Sequence, residues 1–341
     1  MLILGISCFF HDSAACLINN GEIIFASEEE RFTRVKHDNN FPYKSIKNCF
    51  ESSNLNFGDL DYVIFYEKPL IKLDRILDTV KLNYPNSFDL YKEILSNWGQ
   101  QKLWIREIIS DHLKIKKNKI LFFEHHFSHA ASSFYCSKFS DSDLMTIDGV
   151  GEWTTTSFGK VENDFLTRDK SVEFPHSIGL FYSAFTEFLG FEVNDGEYKV
   201  MGMAPYGKPK YLDKINKLFS SINGLNFELD MSYFSYDKSK NSNLSNKFLN
   251  LFGDKRIKEE PFYLKEFQSD LGDQNIEFSS SILNRSQYFA DIAASIQLFI
   301  EDLILNFSKN LKKMNNNPNL CYAGGVAYNC AANSKIINNK I

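Results

Sequence analysis

The chain has 341 residues, 43% of them hydrophobic and 24% charged, with a formal net charge of −5 at pH 7. This composition is typical of one large or two ordinary globular domains and excludes disordered, collagen-like and coiled-coil chains. The acidic balance, the lack of a long apolar run and the lack of a basic N-terminal region predict a cytoplasmic protein without nucleic-acid or membrane partners.

The first elements in chain order are three strands. An apolar run at 2–7 is followed by runs at 14–18 and 22–26, which flank Asn19-Asn20-Gly21. Asn-Gly favours a type I′ hairpin, because both central residues of that turn need a positive φ. Further on, the pattern predicts a helix at 42–52, a strand at 62–66 and a helical stretch at 70–113 that is broken near Pro85. A strand at 119–123 and a helix at 125–135 follow.

A second series of elements begins at residue 144. Strands at 144–147 and 154–158 flank a glycine-rich turn, helices are predicted at 177–189 and 288–311, and Gly324-Gly325 joins a strand at 320–323 to a helix. Residues 194–207 are predicted to form a glycine-rich loop, and the segment at about 219–279 a polar insertion. Because both series open with strand, turn and strand, we expect a duplicated α/β architecture with halves at 1–140 and 141–341.

Three of the chain's seven histidines lie within His125-His126-Phe127-Ser128-His129. His125 and His129 are four residues apart, so on a helix they share one face, a common arrangement for holding a transition metal. The alternative is a polar helix start with incidental histidines.

Two glycine-rich turns are further candidates for a metal, phosphate or nucleotide site. Asp148 ends a predicted strand and precedes Gly149 and Gly151, which favours either a metal or phosphate site or an ordinary Asp-Gly hairpin. Gly324-Gly325 lies between strand and helix, where backbone amides can face a nucleotide, but neither a P-loop nor a dinucleotide fingerprint is present. The charged stretch from Glu28 to Asp38 suits an anionic-substrate cleft or a solvated edge.

Seven stretches in this order resemble the O-carbamoyltransferases of antibiotic and nodulation-factor biosynthesis. They are His11-Asp-Ser-Ala, Glu28 to Asp38, His125-His-x-Ser-His-Ala-Ala, Asp148-Gly-Val-Gly-Glu-Trp, Phe174-Pro-His-Ser-Ile-Gly, Gly196-Glu-Tyr-Lys-Val-Met-Gly and Gly324-Gly-Val-Ala-x-Asn-Cys. The resemblance extends over nearly the whole chain.

The resemblance implies a duplicated actin-like, Hsp70-like (ASKHA, ribonuclease H-like) fold. It also implies transfer of a carbamoyl group from carbamoyl-adenylate to a hydroxyl of a small, sugar-type acceptor. In the family a C-terminal YrdC-like module makes carbamoyl-adenylate from carbamoyl phosphate and ATP, with Mg²⁺. The pattern of the family continues past Ile341 with a further metal aspartate, so we expect the second half to be incomplete and the YrdC-like module to be supplied separately or missing.

Carried over position by position, the resemblance makes His125, His129 and Asp148 ligands of a divalent metal, iron(II) first and manganese or zinc as alternatives. It assigns His11 and Lys36 to the acceptor and carbamoyl pocket. Since attack on the carbamoyl carbon needs the hydroxyl deprotonated, our hypothetical base is His11, oriented by Asp12. The nucleotide loops then contain Gly149, Gly151, Glu197, Lys199, Gly324, Gly325 and Asn329.

Three other functions remain open from the sequence. The chain is alternatively a metal- or nucleotide-binding module without turnover, or an enzyme like the tRNA threonylcarbamoyl transferase. The acidic balance disfavours the tRNA substrate. A sugar kinase of the same fold is disfavoured by the histidine pair.

Overall fold

The chain folds into two α/β units, each built on its own sheet. A computed structural model describes residues 1–239, 241–264 and 279–341. The first unit is Met1–Ser128 and the second is His129–Ile341. Part of the predicted insertion at 219–279 therefore lies outside the described residues.

The first unit contains a five-stranded sheet of order β3-β2-β1-β4-β5. Strands β1, β2 and β3 are antiparallel neighbours, whereas β4 is parallel to β1 and β5 is parallel to β4. The strands are β1 Leu2–Ser7, β2 Ala14–Asn19, β3 Glu22–Glu28, β4 Tyr62–Phe65 and β5 Ile120–Phe122. Asn20 and Gly21 have φ values of 50° and 90°, which confirms the predicted hairpin turn.

Helices lie between and after these strands along the chain, and two of them, Tyr43–Ser53 and Ile105–Leu113, supply buried residues to the hydrophobic core of this sheet. The helices are α1 Glu30–Thr33, α2 Tyr43–Ser53, α3 Pro69–Leu82, α4 Phe88–Gln100, α5 Ile105–Leu113 and α6 His125–Phe134. The predicted helical stretch at 70–113 breaks on either side of Pro85, as expected, and again at a 3-10 turn over Lys102–Trp104. Leu4, Leu17, Val63 and Ile109 are fully buried in the core.

The main sheet of the second unit repeats the order of four of the five strands of the first. This sheet has the order β11-β6-β7-β8, with β6, β7 and β8 antiparallel neighbours and β11 parallel to β6. The strands are β6 Ser142–Ile147, β7 Thr154–Glu162, β8 Phe165–Glu173 and β11 Leu320–Ala323. Each sheet thus opens with three antiparallel strands and places a later parallel strand beside the first, which is the duplicated actin-like fold.

The sequence pattern missed strand β8 and the helix that follows Gly196. Strand β8 is an edge strand whose side chains are mostly exposed or half-buried, so it lacks the apolar run of a buried strand. Residues 194–207, predicted to be a loop, contain a helix at Glu197–Met203 and a 3-10 turn at Ala204–Tyr206. The loop prediction was wrong because Gly196 is the N-cap of this helix, Gly202 lies inside it and Gly207 ends the 3-10 turn that follows.

The remaining elements of the second unit build a core rich in phenylalanine. They are α7 Ile178–Phe188, α8 Glu197–Met203, α9 Leu212–Asn216, the hairpin of β9 Phe219–Asn223 and β10 Asn226–Leu229, α10 Asn246–Phe252, α11 Ser280–Asn315 and α12 Cys330–Asn338. Phe227, Phe234 and Phe248, from the segment predicted to be a polar insertion, are fully buried in this core. That segment therefore contributes to the core of the second unit.

Among the helices in the described ranges, none combines the length and the apolar character needed to cross a membrane.

Candidate functional site

Helix α6 places His125 and His129 one turn apart on one face. The helix starts directly after β5, and Ser128 Oγ donates to the carbonyl oxygen of Tyr66 at 2.9 Å. The Tyr66 ring also packs edge-on against the His125 imidazole, with centroids 5.6 Å apart. Both histidines lie on this one continuous helix, which sets their spacing.

Asp148 brings a carboxylate to the same helix. It follows β6, and its amide donates to the carbonyl oxygen of Thr155 at 2.9 Å, which closes the turn between β6 and β7. Asp148 Oδ2 lies 3.5 Å from His129 Nε2. His125, His129 and Asp148 each offer a ligand atom, and these atoms lie within 4.8 Å of one another. Two imidazoles and a carboxylate suit a first-row divalent cation, so the residues fit the metal that the resemblance implies.

The central histidine of the motif has a different environment. His126 is 1% exposed, whereas the side chain of His129 is 30% exposed. It is absent from the group of possible metal ligands found among the described residues. Its burial favours a packing role.

Asp12 joins two histidines that are distant in sequence. Its Oδ2 lies 2.8 Å from His11 Nδ1 and its Oδ1 lies 2.9 Å from His37 Nδ1. Glu30 completes the cluster by accepting a hydrogen bond from the His37 amide at 3.0 Å. Burial alone would raise the pKa of Asp12, but the hydrogen bonds from His37 and His11 outweigh it and hold this pKa below its ordinary value. Lys36 lies in the exposed turn just before His37.

The loop from Asp148 to Thr154 is tied to the start of α7. Ser177 Oγ donates to the carbonyl oxygen of Gly149 at 2.6 Å, and Ser177 also caps α7 by accepting from the Leu180 amide. The amide of Gly151 donates to the carbonyl oxygen of Thr154 at 2.9 Å. Gly149 and Gly151, two of the predicted nucleotide-binding positions, therefore lie in one braced turn of the second unit.

Glu197 and Lys199, also predicted near the nucleotide, are at the start of α8. Glu197 Oε1 accepts from Ser183 Oγ at 2.9 Å and from the Asn194 amide at 3.0 Å, so this carboxylate anchors the helix start. Lys199 is exposed, and its ammonium lies over the Tyr198 ring.

The predicted nucleotide turn at Gly324-Gly325 contacts Asp148. The Gly325 amide donates to Asp148 Oδ1 at 3.0 Å. The turn continues as a 3-10 turn over Gly325–Tyr328, and Asn329 caps helix α12 by accepting from the Ala332 amide at 3.1 Å. The structure thus brings Gly325 together with one of the predicted metal ligands.

Three residues next to these motifs escaped the sequence prediction. Gln297 lies on α11 and hydrogen-bonds to Asn329, and Glu67 and Lys72 form a buried ion pair in the first unit. The available signal is a polar side chain within an apolar pattern, as with Gln297 between Ile296 and Ile300. For Glu67 and Lys72 the sequence offers only an acid and a base five residues apart.

The comparisons with known proteins point to one family. A family model described as "Carbamoyltransferase N-terminus" matches residues 2–340. The uncharacterized protein sll1178 of Synechocystis sp. is 41% identical over 345 residues, which cover 98% of this chain and 52% of that protein. The nodulation protein NolNO of Sinorhizobium fredii is 28% identical over 342 residues, covering 98% of this chain and 43% of that protein. The chain spans about half the length of the curated relatives it matches.

The similarity to solved structures is weaker. The component A of (R)-2-hydroxyglutaryl-CoA dehydratase from Acidaminococcus fermentans is 12% identical, with a TM-score of 0.46 over 99% of this chain and 88% of that one. The fold assignment rests on the strand order of the two sheets and not on this likeness.

Proposed function

The chain belongs to the carbamoyltransferase N-terminus family, and on this basis we propose that it transfers a carbamoyl group from carbamoyl-adenylate to a hydroxyl of a small, sugar-type acceptor. The observation that supports this proposal best is the convergence of His125, His129 and Asp148, whose ligand atoms lie within 4.8 Å of one another. The three residues come from two separate motifs of the family resemblance.

The proposed reaction forms one bond and breaks one bond. The acceptor oxygen attacks the carbamoyl carbon and forms the new O–C bond, and the C–O bond to the adenylate phosphate breaks. AMP leaves with the electron pair, and the hydroxyl proton goes to a base. Because AMP is a good leaving group, the protein mainly has to position the acceptor and accept this proton.

His11 is the proposed base. Its Nδ1 lies 2.8 Å from Asp12 Oδ2, and a carboxylate at that nitrogen holds the proton there and leaves Nε2 as the basic atom. The lowered pKa of Asp12 keeps its carboxylate ionised at neutral pH, so the orienting charge is present under ordinary conditions. Lys36 is proposed to line the carbamoyl pocket from the same segment as His37.

His125, His129 and Asp148 are proposed to hold a divalent cation, iron(II) first and manganese or zinc as alternatives. Such a cation supplies positive charge that polarises a carbonyl and neutralises phosphate oxygens. ATP, with Mg²⁺, and carbamoyl phosphate are proposed as the source of carbamoyl-adenylate. The YrdC-like module that makes it is proposed as a partner of this chain.

A binding module without turnover is the second candidate, because the chain spans about half the length of its curated relatives. Reconstitution separates the two functions. The purified chain is incubated with Fe²⁺, ATP, Mg²⁺, carbamoyl phosphate, a separately expressed YrdC-like domain of a family relative and a panel of sugar acceptors.

Mass spectrometry then measures O-carbamoylated products. We expect a product that depends on both proteins and is lost in the His125→Ala/His129→Ala double variant. A product formed equally by that variant would remove the metal cluster from the reaction. Metal binding without any product across the panel would favour the binding module.

A further inference from the structure

The two carboxylate oxygens of Asp148 have different neighbours. Oδ1 accepts a hydrogen bond from the Gly325 amide at 3.0 Å, and Oδ2 lies 3.5 Å from His129 Nε2. A backbone amide is a rigid donor, so this hydrogen bond sets the rotation of the carboxylate. Oδ2 is thereby the oxygen directed to the histidine.

We propose that the turn from Gly324 to Asn329 is an outer support of the candidate metal site, and that Gln297 is its positioning residue. In this arrangement Gln297 holds Asn329, Asn329 fixes the end of the turn, and Gly325 at its start orients Asp148. The inference rests on the metal site of the proposed function, and it gives the glycine pair a role toward the metal ligand.

The turn packs closely against Ile147 and Asp148, and a side chain at either glycine would meet one of them. Gly324 has a φ of +100°, and a Cβ there would lie 2.2 Å from the carbonyl oxygen of Ile147. A Cβ on Gly325 would lie 2.8 Å from Asp148 Oδ1, the atom that accepts its hydrogen bond. A side chain at position 324 has to displace the backbone of Ile147, and a side chain at position 325 has to displace the Asp148 carboxylate.

Gln297 uses all of its hydrogen-bonding capacity in this network. Its Oε1 accepts from Tyr182 Oη at 2.9 Å and from Asn329 Nδ2 at 3.1 Å. Its Nε2 donates to Asn329 Oδ1 and to Glu301 Oε1, each at 2.9 Å. An amide side chain offers two donors and two acceptor sites, and Gln297, 5% exposed, fills all four.

Asn329 is committed to the protein by the same contacts. It is 6% exposed, its Nδ2 donates to Gln297, and its Oδ1 accepts from Gln297 and from the Ala332 amide. Its own amide donates to the carbonyl oxygen of Val326 at 3.0 Å, which closes the turn. Asn329 therefore acts as a fixed point between α11, α12 and the turn.

The test is Mn²⁺ affinity, measured on the full chain by the loss of the free-Mn²⁺ signal in electron paramagnetic resonance. Outer-shell partners of metal ligands contribute about 10–100-fold in affinity. We expect Gly325→Ala to weaken Mn²⁺ binding by about 10-fold or more, and Gln297→Met to weaken it by a smaller factor. Gly58→Ala, at an exposed site where a Cβ meets no atom within 4 Å, is the matched control and should bind as the wild type does.

A purely structural role is tested by Phe248→Leu, a core variant of the second unit whose ring packs against Phe185, Phe188 and Phe252. Its stability should fall while its Mn²⁺ affinity stays at the wild-type value. If Gly325→Ala does not fold, the Mn²⁺ affinity of Gln297→Met alone tests the inference. Wild-type affinity in a folded Gly325→Ala or Gln297→Met protein overturns the inference and leaves the metal site standing. Absence of Mn²⁺ binding in the wild type overturns both.

Discussion

The Lys72 ammonium lies 2.5 Å from Glu67 Oε2, and both side chains are less than a tenth exposed. Glu67 follows the end of β4, and Lys72 is on the first turn of α3. The same ammonium lies 4.9 Å from the centre of the Phe10 ring, which packs against the His11 imidazole. The buried ion pair therefore supports the segment that carries the proposed base.

We predict that Lys72→Met destabilises the protein by about 3–5 kcal/mol, because it leaves the Glu67 carboxylate buried without its ammonium. Urea unfolding at pH 7 measures the change. Adding Glu67→Gln should recover most of the loss, since the uncompensated charge is then removed. The matched control is Lys117→Met, whose partner Glu107 lies 2.9 Å away on the surface, and its effect should stay below about 1 kcal/mol. Equal losses for the two lysine variants would contradict the prediction.

A second prediction concerns Asp12 as the residue that orients His11. Asp12→Asn removes the charge that both histidines contact, and we expect the rate of carbamoyl transfer to fall by at least about 10-fold, because a well-placed general base contributes about 10²–10⁴-fold. The measurement is single-turnover transfer in the reconstituted reaction.

The separate variants His11→Ala and His37→Ala show which of the two histidines acts as the base. Loss of rate in His11→Ala with a small change in His37→Ala identifies His11 as the base. The reverse pattern would transfer that role to His37. A full rate in both variants would remove the cluster from the chemistry.

Local patterns predicted much of the fold. Asn20-Gly21 predicted the hairpin because a type I′ turn needs two positive φ values, and the spacing of His125 and His129 predicted one helical face. Both inferences rest on contacts between residues close in sequence. The edge strand β8 escaped because exposed strands lack an apolar run.

The contacts within the candidate site depend instead on distant parts of the chain. Gly325 and Asp148 are 177 residues apart, and Asp12 and His37 are 25 apart, so no local pattern indicates that they meet. The family resemblance supplied the roles of the residues, but not their partners. Gln297 offered only the signal of a polar residue in an apolar helix pattern, because two of its partners, Tyr182 and Asn329, are 115 and 32 residues away.

A third prediction concerns the effect of metal binding on the free energy of unfolding. A cation that binds only the folded protein raises the free energy of unfolding, by about 2.7 kcal/mol at 100 times its dissociation constant. We expect Mn²⁺ to raise the stability of the wild type and not of His129→Ala, measured by urea unfolding with and without MnCl₂. His112→Ala, a histidine variant on α5, is the control and should respond as the wild type does. An equal response of His129→Ala would place the cation elsewhere.

The last prediction concerns Asp291 on α11, which anchors the segment after α8. Its Oδ1 accepts from the Lys208 amide at 2.8 Å and from Gln287 Nε2 at 2.9 Å, and its Oδ2 lies 2.6 Å from Lys210 Nζ. Burial alone would raise the pKa of Asp291, but the hydrogen bonds from Lys210 and the Lys208 amide outweigh it and hold this pKa below its ordinary value. Asp291→Asn removes the charge and keeps an acceptor oxygen, so we expect a loss of about 1–3 kcal/mol at pH 7.

The pH dependence of that loss follows from the direction of the shift. A carboxyl group whose pKa is lower in the folded protein contributes stability above its unfolded pKa of about 3.9, and this contribution disappears as the pH falls through the folded value. The stability difference between the wild type and Asp291→Asn should therefore be constant from pH 7 to pH 5 and shrink at more acidic pH. Urea unfolding across this range measures it, with Asp213→Asn on the exposed side of α9 as the control. A difference that persists unchanged at the acid end would show that the ionised form of Asp291 is not what stabilises the segment.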